Sequence, residues 1–201
     1  MKSAFDLSKQ NSRIESKIVV ALERISEAFR VLLWNESKEN TLSPIQIQIL
    51  IFLLFHTGEK CKVSYLAQEF NLTKATISDS IKILLQKELV VKNTDLDDSR
   101  SFVLALSEAG KKVARQSANF AFAIEKPLTG LTGIQKEIML SGLLKLIYDL
   151  NQAGIITIQR MCFTCFHYEA ANEGHYCRLL QSKLATANIR LDCPEHEFKA
   201  L

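Results

Sequence analysis

Glycine and proline are scarce in this chain, seven and three among 201 residues, so low-complexity and linker-like stretches are few. The length fits one ordinary domain with a small appendage. Long apolar runs are missing as well. The most apolar stretch, "ILIFLLF" from Ile49 to Phe55, falls far short of the roughly 20 residues a membrane span needs and reads as a buried helix. The opening "MKSAFDLSKQNSRIESK" lacks the apolar core of a signal peptide, so a cytoplasmic protein with no membrane partner is expected. No Gly-rich phosphate loop, nucleophile elbow or His-Glu-x-x-His pair occurs, and an enzyme is not expected. A net charge of +3 permits nucleic-acid binding without arguing for it. Cysteine is sparse and unevenly spread. Three of five fall within "MCFTCFHYEAANEGHYC", Met161 to Cys177, and Cys193 follows. In a reducing compartment, thiols gathered in this way point to metal or redox chemistry before structural disulfides.

The remaining sequence is largely helical in pattern. Ile14, Ile18, Leu22, Ile25, Phe29 and Leu32 recur at three- to four-residue steps and line one face of a helix over 12–36. Ser43 as N-cap and Pro44 in the first turn start a second helix that runs to about His56, with Gly58 supplying a left-handed cap. Lys60 to Val63 is expected to form a brief strand. Ser64 then caps a short helix through Phe70, and Thr73 caps another that buries Ile77, Ile81, Leu84, Leu85 and Leu89. The stretches "LVVKNT" and "SFVLALS" flank the polar "DLDDSR", which reads as a hairpin. One helix is expected over 108–125, ended by Pro127. Another over 133–151 buries Ile134, Ile138, Leu143, Leu146, Ile147 and Leu150. Gly154 marks a boundary. Beyond it "IITIQRM" looks strand-like and "YCRLLQSKL" reads as a short helix.

The two central helices, joined by "FNLT", make a helix-turn-helix, and the hairpin after them makes it a winged helix. The polar face of the second helix displays Lys74, Thr76, Ser78, Asp79, Ser80 and Lys82. Such side chains reach base edges in a major groove and phosphates at its rim. Ser64 joins this DNA-contacting set, and Arg100 at the hairpin tip suits the negative potential of a minor groove.

The stretch "LSPIQIQIL…VSYLAQEFNLTKATISDSIKILLQKELVVKNTDLDDSRSFVLALSEAGKKV" resembles the MarR family of transcriptional regulators over roughly 12–151. The wing carries the most specific element, Asp98-Ser-Arg100 followed by Leu104-Ala-Leu106-Ser and Gly110. The resemblance implies that Asp98 holds the wing by pairing with basic groups while Arg100 enters the minor groove. It aligns Thr73, Lys74, Ala75, Thr76 and Ser78 with the start of the recognition helix. It also implies an intertwined homodimer built by the terminal helices, with Ile14, Ile18, Leu143, Leu146, Ile147 and Leu150 contributing. Two departures stand out. Glu88 occupies a position where the family usually has Gly, and Asp95, Asp97 and Asp98 make the wing acidic, which opposes phosphate binding unless they are paired.

The late cysteines are spaced Cys162-x2-Cys165-x11-Cys177-x15-Cys193. A Cys-x2-Cys turn supplies one edge of a tetrahedron and two further thiolates close it, which suits structural zinc. His175 and His196 are secondary candidates. A segment this short seldom folds without a cross-link or metal, so zinc would supply its folding energy. An iron–sulfur cluster or a thiol switch uses the same residues. Cys61 stands apart as a small buried side chain or a sensing thiol. The expected fold is thus mainly α with a small β-wing, a winged helix-turn-helix over 1–154 and a metal-stabilised cysteine-rich module over 155–201. The expected function is a homodimeric, sequence-specific regulator of transcription, a repressor, that binds double-stranded DNA and answers to a small-molecule or redox effector. The alternative is a dimeric winged-helix scaffold whose metal-bound tail docks a protein.

Overall fold

The computed structural model describes residues 3–94, 102–171 and 174–199. Its helices are α1 (Leu7–Gln10), α2 (Ile14–Asn40), α3 (Pro44–Phe55), α4 (Val63–Glu69), α5 (Lys74–Gln86), α6 (Glu108–Ser117), α7 (Phe122–Leu128) and α8 (Gly133–Gln152). Its strands are β1 (Val90–Thr94), β2 (Phe102–Leu106), β3 (Tyr168–Ala171), β4 (Gly174–Cys177) and β5 (Ser182–Leu184). They form two antiparallel sheets, β1-β2 and β3-β4-β5. The chain divides into two compact units, one of residues 1–66 and 75–127, the other of 67–74 and 128–201.

In the first unit α3 is the central element and packs against α2, α6 and β2. Ile47, Ile49 and Leu50 have no exposed surface, as the all-round apolar composition of this helix requires. Its start follows from a capping box, in which the Gln46 amide donates to Ser43 Oγ (3.4 Å) and the Ser43 amide donates to Gln46 Oε1 (2.9 Å). The hairpin pairs Val90 with Leu106 through to Thr94 with Phe102. Alternation puts Val90, Leu104 and Leu106 into the core.

Three helix ends close alike. After α4, Asn71 N–H reaches Gln68 O at 3.1 Å and Leu72 N–H reaches Ala67 O at 2.9 Å, with Asn71 left-handed (φ 52°). After α5, Glu88 N–H reaches Leu85 O and Leu89 N–H reaches Leu84 O, both at 3.0 Å, with Glu88 at φ 56°. Thr41 ends α2 in the same way at φ 51°. These are Schellman closures, which want glycine or asparagine at the left-handed position. Asn71 fits and Glu88 does not, because a Cβ there costs about 1 kcal/mol. Glu88→Gly is therefore expected to raise stability by about 0.5–1 kcal/mol in urea unfolding. Unchanged or lower stability would refute this account of the turn.

The structure departs from the sequence reading in several places. Gly58 to Cys61 forms a 3-10 turn rather than a strand, since Gly58 at φ 63° turns the chain inward. The helix expected over 108–125 breaks after Ser117, and Pro127 lies in the last turn of α7. In α8 only Leu144 is buried. Ile134 and Ile138, expected in a core, are 72% and 70% exposed. Residues 155–161 pair in no sheet. "YCRLLQSKL" belongs to the β4–β5 hairpin, turned at Gln181 (φ 50°), and not to a helix.

The second unit has a small core of Leu144, Met161, Cys162 and Ile189, ringed by Leu140, Ile147, Tyr148, Phe163, Tyr168 and Leu184. Aromatic edges tie it together: Phe163 lies 6.0 Å from Tyr148 and 5.2 Å from Tyr168.

Candidate functional site

The outward face of α5 follows from its periodicity. Ile77, Ile81 and Leu84 turn inward. Thr73, Lys74, Ala75, Thr76, Ser78, Asp79 and Lys82 are exposed, as is Ser64 on α4. Ser80 leaves this set, being buried with its hydroxyl donating to Thr76 O (3.0 Å). No acidic residue occupies the first turn of α5, and the positive end of a helix dipole favours anions. The hairpin tip, with Asp95, Asp97, Asp98 and Arg100, lies outside the described residues.

Apolar side chains expected at a subunit interface are exposed in the single chain. Ile14 is 71%, Ile18 50% and Leu146 37% exposed, while Leu143, Ile147 and Leu150 are half-buried. In the first unit an open groove of about 550 Å³ is lined by Leu22, Ile25, Phe29, Arg30, Leu33 and Phe120, among others.

Cys61 is buried and its thiol donates to His56 O at 3.1 Å. Burial pushes this thiol up to about 11, and neighbouring Lys60 offsets only part of the shift. At neutral pH it is protonated and a weak nucleophile. Iodoacetamide at pH 7.5 is expected to label Cys61 in the folded protein roughly a hundredfold more slowly than in urea. The rate should climb with pH until about 11. Fast labelling at neutral pH, read by peptide mass spectrometry, would contradict this inert role.

The four late cysteines come together in the second unit. Cys162 opens a 3-10 turn, and Cys165 N–H closes it onto Cys162 O at 3.0 Å. The chain returns alongside: Cys162 N–H donates to Arg190 O and Cys193 N–H donates to Arg160 O, each at 3.0 Å. Cys177 ends β4 opposite Tyr168 and Ser182. All four, with His167, Tyr168, Leu179, Leu184 and Glu195, line one cavity of about 30 Å³. All five cysteines of the chain are free thiols.

Among the described residues, no three His, Cys, Asp or Glu side chains are drawn together tightly enough to hold a metal ion. The donor set nevertheless suits one. Four soft sulfur atoms face a space that admits one small occupant. The Arg190 amide points at Cys162 Sγ from 3.2 Å, which favours a thiolate there. Burial raises the Cys162 pKa, the Arg190 amide lowers it, and Cys193, Cys165 and Cys177 are near enough to oppose a second negative charge. A cation among them would remove that opposition.

The histidines divide differently from the sequence reading. His175 Nδ1 meets Tyr168 Oη at 2.7 Å, and His196 Nε2 meets Thr164 Oγ1 at 2.9 Å. Neither lines the cavity, whereas His167 does and also pairs with Glu197 at 3.2 Å. Arg160 was not among the expected site residues. It is 6% exposed and its guanidinium grips both Glu69 and Asp192. Its place two residues before Cys162, with Asp192 next to Cys193, is the only sequence signal.

Residues 40–101 match the profile of the MarR family. No curated protein matches the chain. Among solved structures, the DNA complex of S. aureus MepR is 20% identical with a TM-score of 0.57, over 66% of this chain and 97% of that one. MepR in its DNA-binding conformation, at 20% identity, gives 0.58 over 66% and 98%. A MarR-family transcriptional regulator from Silicibacter pomeroyi, 22% identical, gives 0.58 over 71% and 94%. The fold these structures share with α4, α5 and the hairpin is the winged helix, and the MarR-family profile is matched over residues 40–101 of the chain.

Proposed function

We propose that this protein is a sequence-specific regulator of transcription that binds double-stranded DNA as a homodimer, as a repressor, and holds a structural zinc ion in its cysteine-rich tail. The observation that carries the DNA reading is the exposed hydroxyl- and amine-bearing face of α5, Lys74 to Lys82, on a helix-turn-helix followed by a two-stranded wing. Short polar side chains on such a face read base edges, and Lys74 and Lys82 neutralise phosphates. MepR, which shares the fold, is known in complex with DNA. Exposed Ile14 and Ile18 on α2, and Ile134, Ile138 and Leu146 on α8, supply the apolar surface a dimer would cover. The groove beside Phe29 and Phe120 suits a small apolar effector. Among the described residues no helix is long and apolar enough to cross a membrane.

Cys162, Cys165, Cys177 and Cys193 would hold the zinc. Bound zinc supplies cross-linking energy to a segment with little core of its own. Four thiolates leave no open position for catalysis. Duplexes from the flanking genomic region, titrated by fluorescence anisotropy against scrambled duplexes, test the DNA reading. Selective binding is expected, weakened more by Arg100→Ala than by Lys2→Ala. Equal affinity for both duplex sets at low salt, with or without zinc, would defeat it.

A further inference from the structure

The segment Ala67–Lys74 spans the end of α4, the turn of the helix-turn-helix and the first residue of α5, yet it belongs to the same compact unit as the cysteine module. The residues on either side of it, up to Leu66 and from Ala75, belong to the other unit. Three links bind the turn to the tail. Arg160 Nη1 donates to Glu69 Oε2 at 2.5 Å and Nη2 to Glu69 Oε1 at 3.3 Å. The Thr157 hydroxyl donates to Gln68 O. Asn71 Nδ2 donates to Ile155 O at 3.4 Å. Two of the links land on residues that end α4: Glu69 is its last residue, and Asn71 is the left-handed residue that closes it. Five residues after Glu69, α5 begins.

The other side of the Arg160 fork reaches the cysteines. Nε donates to Asp192 Oδ1 and Nη2 to Asp192 Oδ2, both at 2.7 Å. Asp192 immediately precedes Cys193, Arg160 lies two residues before Cys162, and the Arg160 carbonyl accepts the Cys193 amide. A planar guanidinium with both forks filled is a rigid connector. Being nearly fully buried, it depends on both carboxylates staying in place. Folding of the cysteine strands places Asp192 and Arg160, and Arg160 then fixes Glu69.

We propose that Arg160 is a positioning residue that transmits the metal-dependent folding of the cysteine module to the turn before α5, so that zinc occupancy sets duplex affinity. This rests on the DNA and zinc readings above. The two states are a zinc-folded and a zinc-free tail, and only the first holds Glu69 and Asn71. By linkage, duplex binding raises zinc affinity by the same factor that zinc raises duplex affinity.

The test uses the full chain, loaded with one zinc or stripped with a chelator. Wild-type duplex affinity is expected to fall at least about tenfold on stripping, a typical size for coupling between sites. Amide exchange over 67–74 is expected to quicken by a similar factor. Arg160→Met should keep its zinc, bind duplex about as weakly as stripped wild type, exchange quickly over 67–74 while loaded, and change less than about twofold on stripping. Glu69→Gln, which keeps the side chain and removes its charge, should lose part of the coupling and covers the case in which Arg160→Met does not fold. Loaded Arg160→Met or Glu69→Gln with wild-type coupling overturns the proposal, as does wild type whose affinity and 67–74 exchange ignore zinc. A wild-type protein that binds no duplex defeats the DNA reading alone, and amide exchange then decides whether the tail holds the turn. A protein that takes up no zinc overturns this inference together with the zinc reading.

Discussion

Cys177→Ser is expected to abolish stable zinc binding and to unfold the tail while leaving the helices of the first unit intact. The zinc-to-protein ratio should drop from about one to near zero, because a serine hydroxyl is a poor partner for a metal held by soft thiolates. Amide protection should vanish across β3, β4 and β5 and the returning segment at 190–193. The reason lies in how little else holds that region. The buried cluster there consists of Leu144, Met161, Cys162 and Ile189, and two of the four late cysteines, Cys162 and Cys165, are themselves buried. The β3-β4-β5 strands are three or four residues long, too short to persist without outside support. Structural zinc contributes on the order of 10 kcal/mol to such modules, and losing one ligand removes much of it. A Cys177→Ser protein that keeps a full complement of zinc, or keeps its tail protected without it, would refute the four-thiolate assignment. A brown wild-type protein with broad visible absorption would reassign the site to iron–sulfur chemistry.

Gly110→Ala is expected to destabilise the first unit severely, by about 3 kcal/mol or more. A Cβ at Gly110 would stand 1.9 Å from the Leu89 carbonyl oxygen and 2.9 Å from its carbon. The contact is with backbone, so no side-chain rotation relieves it. Leu89 O already accepts the Ser107 amide at 3.1 Å, and Ser107 Oγ donates to Glu88 O at 2.7 Å and accepts the Gly110 amide at 3.0 Å. Moving Leu89 therefore breaks the cap of α6 and disturbs the root of the wing together. For a protein of this size the melting temperature should fall by roughly 6–12 °C. Gly133→Ala is the control: nothing lies within 4 Å of the added Cβ, and its effect should stay within about 0.5 kcal/mol. A melting temperature for Gly110→Ala within a degree of wild type would show that α6 does not press on the wing root as described.

How much of this was legible in advance depended on whether local chemistry or distant contact decided the matter. The start of α3 was legible because Ser43 as N-cap and Pro44 in the first turn mark it locally, and in the structure Gln46 completes a capping box with Ser43. The hairpin was legible because β-prone Val91, Phe102 and Leu104 flank a polar Asp/Ser cluster, and the structure pairs Val90–Thr94 with Phe102–Leu106. The inward face of α5 was legible from its spacing, although Ser80, which resembles its exposed neighbours in composition, bonds back to Thr76. The tail was less legible. Tyr176, Leu179, Leu180 and Leu184 are spaced as on a helix, but pairing with β3 and the turn at Gln181 override that spacing. Ile134 and Ile138 have core-like spacing yet stand exposed, since apolar periodicity marks a face to be covered without saying by what. The Arg160–Glu69 pair joins residues 91 apart in the sequence, and no local pattern announces it.

The central claim, that this fold grips a duplex, is tested most directly by the salt dependence of binding. If, as proposed, Lys74, Lys82 and Arg100 of each subunit of a dimer engage phosphates or a groove, binding releases several counterions. The slope of log affinity against log salt should then be roughly −4 to −6 for a flanking-region duplex on the zinc-loaded protein. A slope near zero, or equal affinity for flanking and scrambled duplexes, would contradict the account and favour a scaffold that docks another protein.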